Sequence, residues 1–184
     1  MDRVNPRARF DEYGSRINRS HSPLLASSVA PLSIMLASLL PNLVLSGAVP
    51  FIPPLGFIFL IAWRMVRPGL LPVWIGFPLG MFDDLFSGQP FGSAIMLWSL
   101  TMIAIEMVEA RFPWRSHFQD WMTMSALIAA YLIIAAIFSG GVLSLTVFVA
   151  LGPQLLISAL LLPLITRIVA ALDRLRLKRI RTVR

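Results

Sequence analysis

A chain of 184 residues that is 57% hydrophobic and only 14% charged, with a mean hydropathy of +0.78, is not a soluble globular domain, in which about a quarter of residues are charged. Its apolar runs leave no room for a sizeable soluble domain, and the absence of cysteine removes disulfides, thiolate metal sites and cysteine nucleophiles. The formal charge of +7 would suit a nucleic-acid binder, but no motif accompanies it; in a membrane protein the placement of positive charge carries the information.

In chain order, residues 1–23 are rich in arginine and lack apolar periodicity, and read as a cytoplasmic tail. The apolar run that follows has no small-residue cleavage pattern, so it is expected to be an uncleaved first span, about Leu24 to Leu45, with Pro31 and Pro41 inside it. A second, short span from Pro54 to Val66 ends in Trp63, Arg64, Arg67 and Pro68, an interfacial tryptophan with arginines and a helix stop. The third is expected from Gly69 to Phe86, with Ser87 to Phe91 as a turn, and the fourth from Gly92 to Ala110. The fifth, Trp121 to Phe138, is rich in small residues that permit close packing. The sixth, Val142 to Ile165, is broken at Gly152-Pro153 and Pro163 and leads into a basic tail over residues 167–184.

With six spans over residues 24–166, all 16 Lys and Arg fall on one side. The three opposite connections, Ser46 to Pro54, Ser87 to Phe91 and Ser139 to Gly141, carry none. By the positive-inside rule both termini are cytoplasmic. The expected fold is therefore an all-α integral membrane bundle of six transmembrane helices, multi-pass, N-in and C-in. No internal repeat supports an inverted-repeat transporter.

The stretch with most chemistry is Gly76 to Gly92, GFPLGMFDDLFSGQPFG. A carboxylate in hydrocarbon costs about 2.5–3.5 kcal/mol on insertion scales, so the adjacent Asp83 and Asp84 need a structural or functional reason. Gly76 and Gly80 lie four apart on one helical face, the spacing that lets two helices approach to backbone contact, and Pro78 between them is expected to bend the helix. The carboxylates either accept backbone hydrogen bonds at the turn, contact a partner's membrane helix, or form a proton or cation site. Catalysis is disfavoured: an aspartyl dyad needs two convergent carboxylates, whereas neighbours on a helix diverge by about 100°. No catalytic residue is assigned.

Glu106 and Glu109 share a face near the inner end of span four and are expected to snorkel or to pair with Arg111 or Arg115. His21 and His117 have no ligand-spaced companions, so neither a metal site nor a cofactor is expected. Trp63, Trp114 and Trp121 read as interfacial anchors. The tail cations Arg174, Arg176, Lys178, Arg179 and Arg181, mixed with leucines, form a basic cytoplasmic surface for anionic lipid headgroups or a docking partner. Nucleic acid is not expected as a partner, and self-association is left open.

The pattern Gly80, Asp84, Leu85, Gly88 and Gly92, with Pro90 in the turn, resembles the signature of the MreD family of bacterial rod shape-determining membrane proteins. The ending Trp63, Arg67 and Pro68 resembles that family's second helix. The resemblance implies a non-enzymatic inner-membrane scaffold of the elongation machinery, supporting cell shape and lateral peptidoglycan synthesis. Its implied partners are MreC, MreB filaments and the cell-wall polymerase and transpeptidase, and its implied fold is like that of the substrate-binding subunits of vitamin importers. Asp84 matches the family's aspartate, whereas Asp83 is an addition and the long Arg-rich N-terminal tail a departure. The rival reading is a small-molecule-binding membrane subunit of a transporter, with a polar pocket near Asp84.

Overall fold

The computed structural model describes residues 19–21, 23–44, 52–112, 116–140, 144–177 and 179–182. Among them are six α-helices: α1 (Pro23–Val44), α2 (Leu55–Val66), α3 (Gly76–Phe86), α4 (Ser93–Arg111), α5 (His117–Phe138) and α6 (Leu145–Arg176). Two short strands, β1 (Arg19–His21) and β2 (Arg179–Thr182), pair antiparallel, with Arg19 opposite Thr182 and Ser20 opposite Arg181. This ribbon is an addition to the all-α expectation. It arises where Arg-Ile-Arg-Thr alternates with the period of a strand, and it brings the two terminal segments together.

By length and composition, α4, α5 and residues Val147–Arg176 of α6 are long and apolar enough to cross a membrane; α1 and α2 contribute shorter apolar stretches, Ser27–Pro41 and Leu55–Val66. The expected third span is helical only from Gly76, after a 3-10 turn at Val73–Ile75. Gly69 at φ 79° and the two prolines before it and after it, Pro68 and Pro72, spend the preceding residues on turns. Pro78 therefore falls in the first helical turn, where a missing N–H breaks no intrahelical bond, and the bend expected from it has no cause there.

The sixth helix differs in the opposite direction. It runs unbroken past Pro153, Pro163 and the expected boundary at residue 166, to Arg176. A proline inside a helix frees the carbonyl four residues back, and in an apolar setting such a group needs another donor. Pro163 frees Ala159, and the indole N–H of Trp121 on α5 donates to the Ala159 carbonyl at 3.2 Å. Trp121 is thus more than an interfacial anchor. Trp121→Phe is expected to lower stability by about 1 kcal/mol, the usual net worth of one hydrogen bond, in thermal unfolding of the detergent-purified protein.

The core is built around α2. A short helix that is apolar on all sides is stable only when surrounded, and Gly56, Phe57, Ile58, Leu60, Ile61, Ala62, Trp63 and Arg64 are all buried, with α1, α5 and α6 packed against it. Phe57 stacks on Tyr131 at 4.2 Å and tilts against Trp98 at 6.2 Å. Trp63, expected at the interface, is fully buried instead; its indole N–H donates to Ser33 Oγ at 2.8 Å, which donates in turn to the Ala30 carbonyl.

Candidate functional site

The glycine-spaced stretch forms a helix-turn-helix corner between α3 and α4. Gly76 and Gly80 face α4 so closely that a Cβ on Gly76 would lie 2.9 Å from the Trp98 carbonyl oxygen, and one on Gly80 2.7 Å from that of Ala94. Backbone cannot yield as a flexible side chain can. Gly80→Ala is expected to cost about 1–3 kcal/mol through overpacking, read as a lower melting temperature, whereas alanine at exposed Met81 should be close to neutral.

At the corner itself Asp84 is 6% exposed and gathers the start of α4. Its Oδ2 accepts from the backbone N–H of Gly92 at 2.9 Å and of Ile95 at 3.1 Å, and its Oδ1 from that of Ala94 at 2.9 Å, with the Ser93 hydroxyl at 3.4 Å. These are the amides that a helix N-terminus leaves without intrahelical partners, and a negative charge there also complements the helix dipole. The intervening chain must reverse tightly to permit this. Gly88 and Gly92 adopt φ of 68° and 97°, a region open to glycine and disfavoured for side-chain-bearing residues, and the Pro90 carbonyl accepts from Ser93 N–H at 3.1 Å. Leu85 points outward, 63% exposed.

Asp83 faces elsewhere. It is 9% exposed and lines a partly open cavity of about 200 Å³ with Ser38, Gln89, Tyr131 and Gln154 among apolar walls that include Leu55, Phe57 and Leu132. The cavity lies at the end of the bundle where α1 and α3 finish and α2 and α6 begin, away from the terminal strands. Gln154 Nε2 also donates to the Ile52 carbonyl at 2.6 Å, holding the entry to α2 against α6.

At the opposite end, Arg64 is 3% exposed. Its guanidinium donates to Glu106 Oε2, to Glu109 Oε2 at 2.9 Å and to the Leu71 carbonyl at 2.7 Å. Glu106 and Glu109 therefore converge on Arg64 across the bundle, where snorkelling or pairing with Arg111 or Arg115 was the expectation; Arg115 lies outside the described residues. A buried guanidinium requires counter-charge, and the i, i+3 acids of α4 supply it.

Of the tail cations, Arg174 is exposed, while Arg176 is 5% exposed with its Nε donating to Asp173 Oδ1 at 2.6 Å, so it departs from the expected open surface. Lys178 lies outside the described residues, and Arg179 and Arg181 take part in β2 through their backbone. Tyr131 and Gln154 were not singled out from sequence, and Arg64 was read only as one of two cations ending the second span. An arginine near a helix end resembles any interfacial cation, but a lone glutamine in an apolar span was a usable signal.

Among the described residues no group of three or more His, Cys, Asp or Glu is placed to hold a metal ion. A family model described as rod shape-determining protein MreD matches residues 24–176. No curated protein and no solved structure matches the chain significantly.

Proposed function

Because the chain belongs to the rod shape-determining protein MreD family, we propose that it is a non-enzymatic scaffold of the rod elongation complex in the bacterial inner membrane. Membership gives it a role in rod-shape determination, and its long apolar helices make it a membrane protein. In the proposed arrangement all six helices are inserted, the short α2 and α3 together with their uncharged flanks, and both termini are cytoplasmic. The supporting observation is charge placement: residues 45–54, 87–92 and 139–144 contain no Lys or Arg.

On this reading the exposed faces of α3 and α4 and the turn fixed by Asp84 hold MreC. MreB and the cell-wall polymerase and transpeptidase join through the complex, and the basic ends lie on anionic lipid. The single observation that carries the proposal is a family match over nearly the whole helical region. Depletion in a rod-shaped host is expected to give rounded cells with disordered lateral wall synthesis, scored by microscopy and fluorescent wall labelling. Retention of normal rods would overturn it. One observation, the cavity beside Asp83, favours a second reading as a ligand-binding transporter subunit with an importer-like fold.

A further inference from the structure

We propose that the cavity beside Asp83 binds a primary ammonium group carried on a short aliphatic chain. A carboxylate taken out of water is stable only when paired, hydrogen-bonded or protonated. Asp84 is fully engaged by backbone amides, but Asp83 makes no ion pair with any described residue. Among the described residues no cation stands at this end: residues 52–54, 87–92, 139–140 and 144 contain neither Lys nor Arg, and buried Arg64 is bound at the other end by Glu106 and Glu109. With no counter-charge among the described residues, a cation from outside the chain would complete the site.

The lining selects among cations. An ammonium group has three donors and no acceptor, and the space is lined by the acceptor-bearing side chains of Asp83, Ser38 and Gln154, with Gln89 beside them, its carbonyl accepting from the Ser93 hydroxyl at 3.4 Å. A hard metal ion prefers six or more oxygens, several of them carboxylate, and here one carboxylate stands beside Leu55, Phe57, Leu132 and three prolines. Those apolar walls suit methylene groups. A space of about 200 Å³ accommodates a butylamine-sized group, since one water occupies about 30 Å³ of liquid. A free amine and a lysine side chain of a neighbouring protein both carry such a group; occupancy is compatible with the scaffold reading and with the transporter reading.

The test uses the full chain in lipid nanodiscs, titrated with n-butylammonium against n-butanol as the neutral control of equal size. Wild type is expected to show saturable binding and a raised melting temperature with the amine alone, and Asp83→Asn at least a tenfold weaker affinity. Should that variant fail to fold, infrared difference spectra of wild type are expected to show a carboxyl-region change on adding the amine but not the alcohol, and spectra unchanged by the amine would overturn the proposal. A free amine as natural ligand predicts the same response from the protein co-purified with its membrane partner; a partner's lysine predicts that the complex no longer responds. Equal effects of amine and alcohol, or equal affinity in wild type and Asp83→Asn, would overturn the proposal.

Discussion

Asp84→Ala is expected to destabilise the purified protein by about 3–5 kcal/mol, while Asp83→Ala leaves stability within about 1 kcal/mol of wild type or raises it slightly. Three backbone amides, those of Gly92, Ala94 and Ile95, lose their acceptor in the first variant. Each buried donor left unsatisfied costs about 1–3 kcal/mol, reduced where water reaches the bundle end. Among the described residues no backbone amide donates to the Asp83 carboxylate, and its removal relieves the cost of burying a carboxylate. Asp84→Asn should recover part of the loss, since its amide oxygen still accepts but its NH₂ cannot. Denaturant titration of the three variants reads all of these differences. If Asp83→Ala proved the more damaging substitution, the account of the corner would be wrong.

The second large effect is expected at the other end of the bundle. Arg64→Leu should cost about 3–5 kcal/mol, the usual result of removing one member of a buried charge cluster, because Glu109, 18% exposed at its side chain, then keeps a charge without its cation. Glu106, 55% exposed, can turn to solvent and contributes less. The double variant Arg64→Leu with Glu109→Gln is therefore expected to regain more than half of the loss, a coupling that a double-mutant cycle measures. Additive losses would show that the two groups do not act as a pair. Lysine at position 64 should not substitute fully, because its compact ammonium lacks the planar fork that reaches Leu71 and both acids together.

The helices and the corner were largely legible in the sequence, because each rests on local signals. Gly76 and Gly80 announce close packing by spacing alone, and Gly88 and Gly92 announce a turn. The boundaries of α1, α2 and α4 fall within a residue or two of expectation because prolines, glycines and charges flank them. What could not be read depends on partners distant in the chain. The role of Pro163 is decided by whether a donor stands opposite Ala159, and Trp121 comes from another helix. Trp63 carries every mark of an interfacial anchor, yet α2 is enclosed on all sides and takes it inward. The family resemblance set Asp84 apart from Asp83, but spacing alone did not: adjacency shows that the two diverge, and which one meets the start of α4 depends on where α4 lies. Arg64 lacked any mark separating it from Arg67, and only the approach of Glu106 and Glu109 distinguishes it.

The central claim, that this member of the MreD family acts as a scaffold of the elongation complex, is tested most directly by co-purification from native membranes at endogenous expression. Wild type should bring down MreC together with the cell-wall polymerase and transpeptidase, and Asp84→Ala should bring down less of them than Asp83→Ala at equal bait. Recovery of the energising ATPase subunits of an importer, with MreC absent, would contradict it.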